Sequence, residues 1–269
     1  MQKILDLNQL NSLISPYLQK GVFTNSYLML PDYEKYLVQG LYYTQTGDGI
    51  FLFRHRRTHR QLFYYLKSLN ASVSLPRDLP TTMEIVSRAQ DEKFSAMLAF
   101  WEKNGFANRL PRKRMQKPAS RHHDLPAREV NFARPHDAQA VLELIKAGFD
   151  PYLGCIPAPG DLKQRIARQE VICVKEADRL KGILEFERKG NYLFLWHLAV
   201  ASPYRRQGIA RRLLAYLSAL MYKEERTKIQ LWVQTTNLAA RKLYEQNGFH
   251  YDGWVSAGLL HQPQGRKEY

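Results

Sequence analysis

The residues best placed to do chemistry lie between 198 and 212. Leu198-Ala199-Val200 closes an apolar run, and a short turn later come Arg205-Arg206-Gln207-Gly208-Ile209-Ala210 and a helical pattern. A strand that turns straight into a helix presents the helix's first backbone N–H groups, which have no intrahelical partners. The aligned peptide dipoles add about half a positive charge there, so such a start holds phosphate oxygens. Gly208, without a Cβ, lets a phosphate approach the backbone, and Ala210 is the next smallest residue. Arg205, Arg206, Arg211 and Arg212 surround the turn with positive charge. The lysine and hydroxyl partner of a nucleoside-triphosphatase loop are missing, which leaves a diphosphate-binding turn.

The elements that must position this turn follow from periodicity. Glu129–Ala133 reads as a short strand and Asp137–Gly148 as a helix, with Val141, Leu142, Leu144 and Ile145 apolar. A Pro- and Gly-rich loop follows. Glu170–Lys175, Leu180–Phe186 and Asn191–Val200 read as three strands, Ile209–Met221 as an amphipathic helix, and Lys228–Gln234 as another strand. Leu238–Asn247 reads as a helix closed by Gly248, and a weak last strand lies near Trp254. Part of this order repeats in the first half. Phe100-Trp101-Glu102-Lys103-Asn104-Gly105-Phe106 mirrors Leu243-Tyr244-Glu245-Gln246-Asn247-Gly248-Phe249. Each block is preceded by a helical stretch and a strand-like run (Met83–Ser87 and Ile229–Val233). Gln61–Leu69 reads as a helix matching Arg211–Leu220. The reading is an internal duplication. Residues 107–127, with Pro111, Pro118, Pro126 and six Lys or Arg, read as a basic linker, because proline breaks helices and strands alike. The expected domains are therefore 1–106 and 128–269.

The stretch from Leu198 to Ala210 resembles the acetyl-coenzyme A signature of the GNAT superfamily of N-acetyltransferases, Arg/Gln-x-x-Gly-x-Gly/Ala. Asn237–Phe249 resembles that superfamily's next block, and the two stand in the right order. The resemblance covers residues 128 to 258. It implies an α/β fold on a mixed sheet, arranged as tandem GNAT folds of which the second is intact. It also implies acetyl-coenzyme A as co-substrate and an amine that attacks the thioester directly. The pantetheine arm would pair with the strand edge at Leu198, Ala199 and Val200, where two parallel strands splay. The N–H of Leu198 would hold the developing oxyanion. Arg205, Arg206, Gln207, Gly208, Ile209, Ala210 and Arg211 would surround the diphosphate. Tyr244 stands where the superfamily carries a tyrosine that protonates the departing thiolate; a core tyrosine closing the helix is the other reading. Asn237 either contacts the pantetheine or caps the helix.

Relatives often carry a glutamate on the strand before the splay. Here Tyr192–Val200 holds no carboxylate, and His197 is its one titratable candidate, with a buried structural histidine as the alternative. Glu185 and Glu187, on one face of the preceding strand, can act through a water. An amine that arrives neutral needs no strong base. The resemblance implies that the loop Phe149–Pro157 builds the acceptor pocket, with Asp150 holding an ammonium group and Tyr152 lining it; a proline-rich surface loop is the other reading.

The totals bound the rest. The chain has 269 residues, 45% of them hydrophobic, enough for two cored domains. Two cysteines exclude a disulfide framework or a zinc cluster, so no metal is expected. No signal-like or membrane-spanning run is present, and a cytoplasmic protein is expected. The net charge of +15 suits polyanionic partners; RNA is the less favoured reading beside a small-molecule or peptide amine. The first half's turn Arg54–Arg60 lacks a glycine, and Trp101 replaces the tyrosine, which reads as a degenerate copy. A non-catalytic acyl-coenzyme A sensor and an RNA-associated acetyltransferase are the competing functions.

Overall fold

The computed structural model describes residues 1–26, 28–119, 129–177 and 179–263. The chain forms two compact units, one from Met1–Pro111 with the residues from Val255 on, the other from Arg112–Trp254.

In the first unit come β1 (Gln2–Lys3), α1 (Leu7–Ile14), β2 (Phe23–Thr24), α2 (Leu30–Gln39), β3 (Leu41–Gln45), β4 (Gly49–His55), β5 (Arg60–Leu66), β6 (Thr81–Ser87) and α3 (Glu92–Lys103). β7 (Ala107–Pro118) begins in this unit and continues into the second. The sheet order is β1-β3-β4-β5-β6, antiparallel except where β5 meets β6. Val255–His261 then runs antiparallel along β6.

The second unit contains β8 (Val130–Phe132), α4 (Ala138–Gly148), α5 (Pro159–Ala167), β9 (Val171–Glu176), β10 (Arg179–Lys189), β11 (Tyr192–Val200), α6 (Ile209–Lys223), β12 (Lys228–Gln234), α7 (Leu238–Gln246) and the start of β13 (His250–His261). Its sheet runs β8-β9-β10-β11-β12, again with one parallel pair, β11 and β12. Arg112–Pro118 of β7 closes it along β12. Each unit thus takes its closing strand from the other half of the sequence.

Alternation along the strands sorts two cores. Leu184, Phe186, Leu195, Ile229 and Leu231 pack with α6 and α7, whereas Ile183, Cys173, Val171 and Ala199 pack with α4 and α5. Apart from β2, which lies between the two helices of the first unit, both units follow the order strand, two helices, three antiparallel strands, a parallel strand, a helix. The helix ends match as well. Gly105 and Gly248 both have φ +84. Phe106 N–H donates to Trp101 C=O and Phe249 N–H to Tyr244 C=O, each at 3.0 Å. These are the same left-handed closure. The one missing element is α6: nothing helical lies between β5 and β6.

Four expectations need correction. Residues 107–118 of the expected linker form a strand, and 120–128 lie outside the described residues. Pro118 stands at the strand's end, where a missing N–H costs no ladder bond, and only Met115 of the strand is buried, so no apolar alternation marks it. Gln61–Leu69 is not a helix, because Leu62–Leu66 is a buried strand whose continuous apolar run carries no period. Accordingly Arg56–His59 is a hairpin turn (Arg56 N–H to His59 C=O, 2.9 Å), not the counterpart of the Gly208 turn. The "loop" before residue 170 contains α5, entered through Pro159, a proline suited to a first helical turn.

Candidate active site

After β11, Ser202–Tyr204 makes one 3-10 turn, and the chain enters α6 through Arg205–Gly208. Arg206 and Gly208 both have positive φ, 62° and 76°. Gly208 serves this turn through its left-handed backbone, since a Cβ on it would meet nothing within 4 Å. The first helical bond runs from Arg212 N–H to Gly208 C=O at 3.0 Å. The N–H groups of Ile209, Ala210 and Arg211 therefore precede the helical ladder. Arg205 Nε donates to Val200 C=O (3.2 Å) and Gln207 Nε2 to Pro203 C=O (3.3 Å), so both brace the turn. Arg205, Arg206, Gln207 and Arg211 are exposed. Gly182 on β10 supports the helix start from below: a Cβ there would come within 2.8 Å of Ile209 Cγ2 and 3.2 Å of Ala199 O.

β11 and β12 pair from Tyr192↔Lys228 to Leu195↔Leu231 and then part. At the same level β11 carries a bulge at Trp196, between the rungs Phe186↔Leu195 and Glu185↔His197. Ala201 N–H bonds Lys181 C=O on β10 at 2.9 Å. Counting back through an antiparallel ladder, Ala199 faces β10, while Val200 and Leu198 turn their N–H groups to the gap. Tyr244 of α7 lies in the same apolar cluster as Leu195 and Leu231, with Leu198 packed against it. Its ring meets Phe249 at 5.5 Å, and its hydroxyl makes no hydrogen bond among the described residues. Burial holds its pKa well above the ordinary tyrosine value, so it keeps its proton. Asn237 caps α7, accepting from Ala240 N–H at 3.0 Å.

The other face of β10 and β11 holds a buried polar chain. Glu185 and His197 are 0% and 1% exposed. His197 Nδ1 lies 2.5 Å from Glu185 Oε2, and Nε2 lies 2.8 Å from Gly154 C=O. A carbonyl only accepts, so Nε2 carries a hydrogen; a second hydrogen lies between Nδ1 and the carboxyl group. Arg165 of α5 pairs with the other Glu185 oxygen, and the Phe149 ring stands edge-on to His197 at 4.5 Å. Asp150 Oδ1 accepts from Tyr152 N–H (2.8 Å) and Leu153 N–H (2.9 Å), folding the loop so that Gly154 reaches His197. Only glycine fits at 154, where a Cβ would come within 2.4 Å of Asp150 O.

The structure thus brings His197 and Glu185 together with the loop that carries Asp150 and Tyr152, and both ring nitrogens of His197 are engaged. Arg165, Gly154 and Gly182 were missed; the glycines' spacing gave no signal apart from their contacts. Among the described residues no three His, Cys, Asp or Glu side chains gather as metal ligands, and no helix is long and apolar enough to cross a membrane.

Residues 141–249 match the model of the Acetyltransferase (GNAT) family. That stretch is similar to a GNAT acetyltransferase domain. No curated protein matches the sequence. Among solved structures, a GCN5-related N-acetyltransferase from Sphaerobacter thermophilus is similar at TM-score 0.61 and 14% identity, with 82% of each chain covered. A GNAT-family acetyltransferase from Colwellia psychrerythraea is similar at TM-score 0.56 and 16% identity, over 97% of this chain and 99% of its own. A GCN5-related N-acetyltransferase from Kribbella flavida is similar at TM-score 0.52 and 11% identity, over 87% and 93%. The GNAT fold thus spans the chain beyond the matched stretch.

Proposed function

We propose that the second unit is an N-acetyltransferase that moves an acetyl group from acetyl-coenzyme A to a primary amine of a small molecule, amino acid or peptide. The observation that carries this reading is the parting of β11 and β12 beyond Leu195 and Leu231, beside a glycine-entered helix start. The N–H groups of Ile209, Ala210 and Arg211, with Arg205, Arg206, Gln207 and Gly208 around them, hold the diphosphate. The edge of Leu198, Ala199 and Val200 takes the pantetheine arm by strand addition. Leu198 N–H receives the carbonyl oxygen as negative charge grows on it. The amine nitrogen forms the new C–N bond, the C–S bond breaks, and Tyr244 gives its proton to the leaving sulfur.

His197 and Glu185 serve this reading as a brace, with no proton exchanged. Gly154 is tied to the residue next to Leu198, which sets the 149–157 loop, with Asp150 and Tyr152, beside the reacting carbonyl. The amine enters neutral and gives up its surplus proton to water, and Tyr244 regains from water the proton it gave to the sulfur. The engaged histidine also favours a second reading, an acyl-coenzyme A sensor without turnover. The test is thiol release from acetyl-coenzyme A with a panel of primary amines. Amine-dependent release supports the transferase; binding of the thioester with no release for any amine supports the sensor.

A further inference from the structure

The first unit repeats the parted strands and fills the gap with its own chain. β5 and β6 are parallel partners only at Arg60↔Thr81 and Gln61↔Thr82. β4 holds one edge of β5 along its whole length. The opposite edge, which β6 leaves beyond Gln61, is taken by β2, with Phe23↔Leu66 and Thr24↔Tyr65 antiparallel. Asn25 then continues the pairing with its side chain. Its Nδ2 donates to Leu62 C=O at 3.0 Å, and its Oδ1 accepts Tyr64 N–H at 2.9 Å. Thr24 Oγ1 donates to Tyr64 C=O at 2.6 Å. Asn25 is 6% exposed, and Phe23 packs on the core that contains Phe51 and Trp101.

A carboxamide offers a strand edge the same donor and acceptor as a peptide or pantetheine amide. Its register is informative. Tyr64 lies past Gln61, the last parallel rung of its unit, and Leu198 past Leu195, the last of the other, with the Trp196 bulge between those two. Each turns an N–H into the gap. Resting on the reading that Leu198 N–H holds the thioester oxygen, Asn25 Oδ1 takes the matching bond in the first unit.

We propose that residues 23–25 are a built-in occupant of the first unit's cofactor gap, with the Asn25 carboxamide standing where a thioester and pantetheine would lie. The missing helix between β5 and β6 agrees independently, because it removes the diphosphate site of that unit. The first unit then takes no coenzyme A, and the chain binds one molecule through the second unit.

Two measurements on the full chain test this. Calorimetric titration with coenzyme A is expected to give one site per chain, lost in a variant carrying Arg206→Glu and Arg211→Glu. Two sites, or one that survives those changes, overturn the proposal; no site at all contradicts the reading of the second unit and leaves the plug to the other measurement. In hydrogen exchange, the Tyr64 amide is expected to be protected with or without coenzyme A, and to exchange at least about tenfold faster in Asn25→Ala. Unchanged exchange in that variant overturns the proposal. Should Asn25→Ala not fold, Asn25→Asp keeps the acceptor for Tyr64 N–H and loses the donor to Leu62, and is expected to keep most of the Tyr64 protection; protection lost there overturns it.

Discussion

Glu185→Gln separates a brace from a base. The carboxylate is fully buried, bonded to His197 at 2.5 Å and paired with Arg165, whose side chain is 21% exposed. Removing one member of a buried ion pair costs about 3–5 kcal/mol, because the charge left behind stays buried. Arg165 reaches water and regains part of that, which puts the cost near the lower end, about 3 kcal/mol. For a unit of this size, roughly 2–4 °C of melting temperature goes with each kcal/mol. A fall of about 6–12 °C is therefore expected in a thermal melt. Turnover at 20 °C with saturating amine is expected to fall less than about tenfold. A general base contributes about 10²–10⁴-fold. A turnover loss of that size with an unchanged melting temperature would refute the reasoning and return Glu185 and His197 to catalysis.

Tyr244→Phe is expected to lower kcat about 10²-fold while leaving the Kd for coenzyme A within twofold; equal kcat in both proteins removes the proton-donor role. Burial raises the Tyr244 pKa, so the rate should show no alkaline fall from this group below pH ~10. By the same linkage the folded state binds this proton more tightly than the unfolded chain. The tyrosine's contribution to stability is thus complete below pH ~10 and declines above it, absent in Tyr244→Phe; denaturant titrations from pH 8 to 11 check the sign. Gly208→Ala places a side chain at φ +76°, costing about 1–2 kcal/mol, and is expected to raise the KM for acetyl-coenzyme A several-fold with little change in kcat. Gly182→Ala is expected to do likewise by lifting Ile209 off β10, an overpacking cost of about 1–3 kcal/mol. For either variant, an unchanged KM would detach the helix start from cofactor binding.

The sequence made the chemistry of α6 and its turn legible because that chemistry is local: a glycine with positive φ, an exposed arginine cluster and an amphipathic helix each leave a mark within a few residues. The two Asn-Gly-Phe closures were legible for the same reason. β7 was not, since Met115 is its one fully buried residue and its partners are more than a hundred positions away in sequence. β5 was misread because a strand buried on both faces has no period to separate it from a helix. The His197 assignment turned on contacts no spacing reveals. Gly154 and Arg165 reach it from 43 and, through Glu185, 20 positions away, and together they convert an available imidazole into an engaged one. Asn25 likewise gave no signal, because a plug is recognised by the edge it covers.

The most direct test of the account is a crystal structure of the chain with coenzyme A. The expected result places the diphosphate on the N–H groups of Ile209–Arg211, the pantetheine along Leu198–Val200, and the sulfur between β11 and β12 within reach of the Tyr244 hydroxyl. Coenzyme A bound elsewhere, or a sulfur remote from both Leu198 N–H and Tyr244, would contradict it.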